Sequence, residues 1–464
     1  MSGKPLFHFE ISERKILLRL FDNIIVLLVL SLVGILFQFD YFRIDSQYWM
    51  WTLILILFLN FFSTVFELYD LQKASRFDSV LKNVILATST TVLFYMLTPY
   101  LTPSLPENRL QILFFFISIA GALLIWRFSY INLISTPRFY KRVLVVGDSF
   151  DIKLIAEDLQ KTDPNYHIVG FINTDNHVKA SLDTHNLKEF HVEELPEIIP
   201  ENHISEVVVA SAYRRGLMLP LYNKLYELLK KGVPIKDYTQ VYEEVTQRIP
   251  VENVDKDFYR YFPFSRNNAN KFYTLIFRFF DIVISLAGII IGLLLLPFIV
   301  AGNLIGNRGS VFYSQERVGK DGEVFSILKL RTMRRDAEHA GPQYAQKNDY
   351  RITKFGRFLR RARIDEVPQF YNVLKGEMSI IGPRPERPVF VEGLSQAIPF
   401  YDTRHIIKPG LTGWAQVMAN YGTCHTDSLE KLQYDLYYIK HRSIFLDLNI
   451  LLKTLSTILF FRGQ

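Results

Sequence analysis

The distribution of apolar and polar positions divides the chain into segments of different character. Within the first 140 residues, four apolar stretches at about residues 16–37, 49–68, 80–100 and 110–134 are separated by short polar loops. Each approaches the ~20 residues that cross a bilayer as a helix, so a four-helix transmembrane bundle is predicted over residues 1–140. The first stretch is too long for a cleavable leader, carries Asp22 early and has no small-residue cleavage site before the next span. From residue 141 the pattern shifts to short β-branched runs (143–147, 168–172, 207–210) alternating with helical segments. That alternation predicts a Rossmann-like α/β domain with a parallel sheet over residues 141–265. A further apolar run covers residues 272–305.

Charge gives these segments an orientation. Lys4, Arg14, Lys15 and Arg19 precede the first span, Lys73, Arg76 and Lys82 join the second and third, and Arg138, Lys141 and Arg142 follow the fourth. The other two loops hold only Arg43 and Arg109, so the positive-inside rule predicts that everything after residue 140 faces the cytoplasm. The run at 272–305 has Arg266, Lys271 and Arg278 before it and Arg308, Arg317 and Lys320 after it. Matching basic flanks predict a re-entrant helix hairpin at about 275–305, bent at Pro297, where the ring removes a helical donor. A plain fifth span is the alternative, and it would put the C-terminal third outside the cell.

The composition agrees with membrane contact: 49% of the 464 residues are hydrophobic and 14% aromatic, with a mean hydropathy of +0.12. A single cysteine, Cys424, excludes an intrachain disulfide and any multi-cysteine metal site. The strand ending in Gly147 opens like a dinucleotide-binding unit, and Asp175 could mimic the ribose-binding acid. The second and third fingerprint glycines, however, are replaced by Ser149 and Ile152. The middle domain therefore reads as a spacer, interaction or regulatory module.

The formal net charge of +7 is not spread evenly. Between Arg308 and Lys408 there are 19 Lys and Arg against 12 Asp and Glu, while the rest of the chain is balanced. Such a concentration suits a polyanionic substrate, because Arg offers bidentate donors and Lys a point charge. Nucleic acid is disfavoured, since the region adjoins a membrane-inserted hairpin and lacks a nucleic-acid-binding module. Within it, Asp365-Glu366 ends an amphipathic basic helix pattern (Phe355, Phe358, Leu359 and Ala362 against Arg357, Arg360, Arg361 and Arg363) that Pro368 stops. Neighbouring side chains in a last helical turn diverge by about 100°, which implies different roles for the two carboxylates. One could attack phosphorus or hold a proton, and the other could ligate a divalent metal. Pro383-Arg384-Pro385 predicts a rigid turn presenting Arg384.

Several motifs together resemble the bacterial sugar transferases, or monotopic phosphoglycosyl transferases, over about residues 272–464. They are Lys329-Leu330-Arg331-Thr332-Met333, Asp365-Glu366-Val367-Pro368-Gln369, Gly382-Pro383-Arg384-Pro385-Glu386-Arg387-Pro388, the run from Arg404 through Lys408-Pro409-Gly410 to Gln416, and Tyr434-Asp435-Leu436-Tyr437-Tyr438. The family's common Ser-Leu-Asp-Glu-Leu-Pro reads Arg363-Ile364-Asp365-Glu366-Val367-Pro368 here. The resemblance implies a C-terminal, mainly α (α+β) catalytic domain over residues 266–464 and the long, exopolysaccharide-type branch of the family. It also implies transfer of a sugar 1-phosphate from a UDP-sugar to undecaprenyl phosphate with release of UMP. By position, Asp365 would be the nucleophile that forms a phosphosugar–aspartyl intermediate, and Glu366 would bind Mg²⁺. Lys329, Arg331 and Arg384 are candidates for the substrate phosphates, with Arg317 and Arg351 behind them and Asp435 as active-site support.

The expected setting is the bacterial inner membrane, with its lipids as partners and the catalytic domain on the cytoplasmic side. A homodimer is expected through the spans or the middle domain, which have no evident catalytic task. Residues 444–461 read as a helix on the membrane surface, with a tail helix packed on the core as the alternative. Two other readings are open: a non-catalytic scaffold of polysaccharide assembly, and an anchored NAD-dependent nucleotide-sugar enzyme.

Overall fold

The computed structural model describes residues 11–37, 42, 44, 46–70, 74, 77–106, 108–133, 141–147, 159, 166–173, 187–210, 219–251, 265–268, 270–307, 309–334, 337, 341, 349–419 and 425–459. It falls into two compact units, Met1–Thr246 and Gln247–Gln464.

The first unit opens with α1 (Ile11–Phe37), α2 (Trp49–Val65), α3 (Phe77–Met96) and α4 (Leu110–Leu133). Among the described residues, four helices are long and apolar enough to cross a membrane: Glu13–Phe37, Phe77–Met96, Leu110–Asn132 and Lys271–Gly306. The 17 residues of α2 reach about 25 Å, the short end of the range for a span. It stops before the expected residue 68 because Glu67 is left-handed (φ 58°) and Leu68 N donates back to Ser63 O at 2.9 Å.

On α1 the row Leu18, Asp22, Val26, Leu30 is buried, whereas Ile16, Leu20, Ile24 and Leu28 are exposed, the pattern of a helix between protein and lipid. Asp22 in the buried row meets Arg127 of α4 at 2.6 Å, and neither side chain is exposed. Beside them Asn60 donates to Asn23 at 2.9 Å, and the Arg127 guanidinium lies 5.4 Å from the Tyr69 ring. Losing either partner of such a pair strands a charge in an apolar bundle, so the pair ties α1 to α4.

The α/β part has five parallel strands: β1 (Lys141–Gly147), β2 (Tyr166–Asn173), β3 (Lys188–Phe190), β4 (Glu206–Val209) and β5 (Ile235–Asp237). Their spatial order is β3-β2-β1-β4-β5, with the strand order reversing at β1 as in doubly wound sheets. Val143 and Val145 point to one face, packing with Tyr238, Val241 and Tyr242, while Leu144 and Val146 point to the other with Leu195, Leu221 and Leu225. Ser149, Ile152 and Asp175 lie outside the described residues.

The second unit begins at Gln247, upstream of the expected boundary at 265/266. Residues just after that point bond within this unit: Gln247 O accepts from the Trp414 indole at 3.3 Å, and Ile249 N donates to Gln433 O at 3.1 Å. Its longest element is α5 (Lys271–Gly306), a single helix that runs through Pro297. Asn270 caps it, accepting from Phe272 N and Tyr273 N at 3.0 and 3.3 Å. Phe272, Phe279, Ile290, Leu294 and Phe298 are more than half exposed on one side. The opposite side is small or polar and packs on the rest of the unit. A Cβ on Gly288 would run into the Phe370 ring, and one on Gly302 into the Phe355 ring. The Asp281 carboxylate accepts from Ser379 Oγ at 3.0 Å and Ile380 N at 2.9 Å. Arg278 donates to the carbonyls of Val373 and Leu374 at 2.6 and 2.7 Å.

A hairpin follows, β6 (Phe312–Val318) with β7 (Val324–Leu330), then α6 (Lys354–Arg361), a 3₁₀ turn (Ile364–Glu366), α7 (Gln369–Lys375), and β8 (Ser379–Ile381) paired in parallel with β9 (Gly410–Thr412). A 3₁₀ helix, Tyr401–Ile406, precedes β9, and α8 (His425–His441) and α9 (Ile444–Leu459) complete the unit. Asp447 and Ile450 of α9 are buried while Ile444, Phe445 and Leu448 are exposed, so this helix packs on the core and presents an apolar outer face. Tyr438 and Tyr273 both donate to Asp447, the former at 2.7 Å, which joins α9 to the start of α5.

Candidate active site

The acidic pair is presented by a break in the chain. Thr353 Oγ1 caps α6 by accepting from Gly356 N at 2.8 Å. Gly356 is required there because a Cβ would overlap the backbone of Thr332. The helix ends at Arg361, Arg363 is left-handed (φ 58°), and the 3₁₀ turn Ile364–Glu366 carries the two acids to Pro368, which begins the next helix. The pair is thus not the last turn of the basic helix, as expected, because the left-handed residue has already ended that helix. Three residues per turn in the 3₁₀ segment separate the two carboxylates by about 120°. The turn is seated on the membrane helix. Ile364 joins the cluster of Ile299, Leu330 and Leu359, and Val367 lies against Gly292.

Asp365 and Glu366 are 8% and 9% exposed. Glu366 Oε1 accepts from Arg384 Nη2 at 2.8 Å, and Oε2 lies 3.4 Å from Arg363 Nη1. Burial alone would raise the Glu366 pKa, but Arg384, Lys329 and Arg363 outweigh it and hold the carboxyl at about 2. Asp365 moves the other way: burial and the neighbouring Glu366 carboxylate push it up against the pull of Lys329, Arg360 and Arg384. The structure therefore pushes adjacent carboxyls apart in acidity. Burial, with Arg384 and Arg317 close by, lowers half-buried Lys329 of β7 to about 8, although Glu366 and Asp365 oppose that.

Of the residues singled out in the sequence, Asp365, Glu366, Lys329 and Arg384 come together, and the Arg384 side chain is 40% exposed at the edge of the cluster. Arg317 is close to Arg384, and burial lowers it to about 10, but it bonds to Pro385 O at 3.3 Å and Gln315 Oε1 at 2.7 Å. Arg331 points elsewhere, to Ser310 Oγ at 3.0 Å and over the Tyr313 ring. Asp435 on α8 holds Arg404 at 2.7 Å, and burial pushes its acidity to about 6 despite that partner.

Three arginines belong to this neighbourhood without having been assigned there from sequence: Arg360, Arg363 and Arg404. Arg360 donates to Thr332 Oγ1 at 2.9 Å, and burial lowers its pKa against the attraction of Asp365. Its place five positions before Asp365, on the polar side of a short helix, was the available signal.

The candidate site is thus an acidic pair of divided acidity among cations, on a turn seated against a long apolar helix of the kind found in membrane-associated proteins. Residues 272–461 match the family model of the bacterial sugar transferases. A Bacillus subtilis protein, provisionally named an undecaprenyl-phosphate N-acetylgalactosaminyl 1-phosphate transferase, is 44% identical over 154 residues, which are 33% of this chain and 86% of that protein. This chain belongs to the bacterial sugar transferase family.

An Aeromonas hydrophila UDP-N-acetylgalactosamine-undecaprenyl-phosphate N-acetylgalactosaminephosphotransferase is 50% identical over 151 residues, 32% of this chain and 36% of the relative. A Xanthomonas campestris UDP-glucose:undecaprenyl-phosphate glucose-1-phosphate transferase is 44% identical over 164 residues, 35% and 34% of the two chains. The chain thus spans about a third of the length of these two relatives.

Arg351 has its own partner. Its guanidinium grips Asp349 with Nε at 2.8 Å and Nη2 at 2.6 Å, and both side chains are buried. This is the geometry of a structural pair, and breaking one costs about 3–5 kcal/mol. Arg351→Met should lower the unfolding temperature, and Asp349→Leu added to it should restore much of the loss. A raised KM for substrate with unchanged unfolding would instead place Arg351 on a phosphate.

Proposed function

We propose that the protein transfers a sugar 1-phosphate from a UDP-sugar to undecaprenyl phosphate, releasing UMP and making the first lipid-linked intermediate of a surface polysaccharide repeat unit. The observation that carries this reading is the divided acidity of Asp365 and Glu366 within one cationic cluster. Asp365 is the better nucleophile of the two, since its carboxylate is the more basic and is held in a dry site. In the first step an Asp365 oxygen bonds to the sugar-bearing phosphorus as the bridging P–O bond breaks, and UMP leaves with that electron pair. In the second, an oxygen of undecaprenyl phosphate attacks the same phosphorus and the Asp365 carboxylate departs. Lys329 and Arg384 offset the negative charge gathered on the phosphoryl oxygens, the dominant contribution in such transfers. One site thereby serves a water-soluble donor and a lipid acceptor in turn.

The residues also fit a magnesium ion. Such an ion takes one or two carboxylates and completes its shell with water and substrate phosphates. Glu366, ionised at any neutral pH, supplies that donor. Among the described residues there is no cluster of three or more His, Cys, Asp or Glu that could cage an ion without substrate. When bound, Mg²⁺ would supply positive charge against the departing phosphate.

The same reading places the second unit on the cytoplasmic face of the bacterial inner membrane. Basic residues flank α5 on both sides, and both halves of that helix pack on the same unit: Arg278 and Asp281 in the first, Ile299 and Gly302 in the second. A helix that crossed would carry those packed elements into the hydrocarbon, whereas one that re-enters keeps them at the headgroups.

Asp365→Asn should abolish UMP release from UDP-sugars; release at the wild-type rate would remove Asp365 from its role, whereas a wild-type protein that releases no UMP would favour a scaffold. For topology, cysteines at Glu323 and Glu189 in a Cys424→Ser background should both resist an impermeant thiol reagent in intact cells. Labelling at 323 alone would contradict re-entry.

A further inference from the structure

The turn that presents Arg384 cannot hold itself. Proline on each side removes the backbone N–H at 383 and 385, and the residue before a proline is confined to extended conformations. What remains free is the tilt of the peptide planes, and those planes are fixed from outside. Pro383 O accepts from Gly410 N at 2.9 Å. Arg384 O accepts from Arg404 Nη2 at 3.0 Å and Pro385 O from Arg317 Nη1 at 3.3 Å. Glu386 O accepts from Val318 N at 2.9 Å. The donor to the carbonyl of Arg384 itself is a buried guanidinium, 6% exposed.

Arg404 is in turn immobilised. Its Nη1 donates to Tyr401 Oη at 2.6 Å, its Nη2 donates to Asp435 Oδ2 at 2.7 Å, and it lies 5.1 Å from the Tyr401 ring. Asp435 sits on α8 and is 1% exposed. A charge buried this deeply needs a reason to be there, because an apolar residue in its place would cost no desolvation.

We propose that Arg404, held by Asp435, is a positioning residue that sets the angle at which Arg384 meets Glu366 and the substrate phosphate. The proposal rests on the function given above. Three acceptors converge on one planar fork: the Tyr401 hydroxyl, the Asp435 carboxylate and the Arg384 carbonyl. Lysine, a single point donor, cannot bridge all three.

The test is a double-mutant cycle on the full-length protein in detergent, reading kcat and KM for UMP release, UDP affinity and the unfolding temperature. Arg404→Lys should lower kcat by about 10- to 100-fold, the scale of a misplaced catalytic group, and should act on the same parameter as Arg384→Ala. In the Arg384→Ala background, adding Arg404→Lys should change kcat by less than about twofold, since the residue it positions is gone. Multiplicative losses, or a wild-type kcat for Arg404→Lys, overturn the proposal. Should Arg404→Lys fail to fold, Tyr401→Phe removes one of the bonds to Arg404 and leaves its charge in place. Its loss of activity should likewise vanish in the Arg384→Ala background, and persistence of that loss overturns the proposal. A wild-type protein that binds UDP but releases no UMP from any UDP-sugar overturns the functional reading alone. The positioning is then decided by whether residues 404 and 384 couple in UDP affinity, and additive effects there refute it.

Discussion

Everything at the candidate active site depends on the close packing of the chain around Asp365 against one side of α5. That side is built from Gly288, Gly292, Gly302 and Gly306, with Phe370, Val367 and Phe355 filling the space that side chains would occupy. Ile364, next to Asp365, joins the cluster formed by Ile299, Leu330 and Leu359. The turn carrying the acidic pair is therefore pinned between residues that touch a helix whose other side is apolar and exposed. In the proposed function a lipid-borne acceptor and a water-soluble donor would need a common meeting point, and this packing would hold the pair within reach of both.

Electrostatics then separates two carboxyls that are neighbours in sequence. The left-handed Arg363 and the tight turn aim Glu366 at Arg384, so its charge is stabilised, while at Asp365 burial and the like-charged neighbour outweigh the pull of Lys329, Arg360 and Arg384. The net positive charge between Arg308 and Lys408 is put to distinct uses. Arg384, Lys329 and Arg360 bear on the acids, whereas Arg351 and Arg404 form buried pairs with Asp349 and Asp435. Arg317 clasps a carbonyl of the proline turn. A count of cations could not distinguish these tasks, because Arg is equally suited to a phosphate, a carboxylate and a backbone carbonyl.

Much of the architecture was legible in the sequence, since helical spans and a parallel sheet leave strong periodic signals. The strands at 143–147, 168–172 and 207–210 were found because their β-branched runs are buried on both faces. The length of α2 was misjudged at residues 66–68, where Glu67 turns left-handed in an apolar context that gives no warning. The same kind of signal was missing at Arg363, where a basic residue takes a conformation favoured by glycine, and the acidic pair was consequently assigned to the wrong helix end. Asp365, Glu366, Arg384 and Lys329 were singled out through chemistry and motif, and the fold brings them together. Arg404 was quoted within a motif but given no task, because its contacts with Tyr401, Asp435 and the Arg384 carbonyl reach across the fold and have no local pattern.

The claim at the centre of this account is that Asp365 bonds to the sugar-bearing phosphorus. Peptide mass analysis of purified protein, quenched after incubation with a UDP-sugar, Mg²⁺ and no polyprenyl phosphate, tests it most directly. The account predicts a sugar phosphate on Asp365 that disappears when undecaprenyl phosphate is added before quenching. UMP release that requires both substrates and leaves no adduct, or an adduct on Glu366, would contradict it.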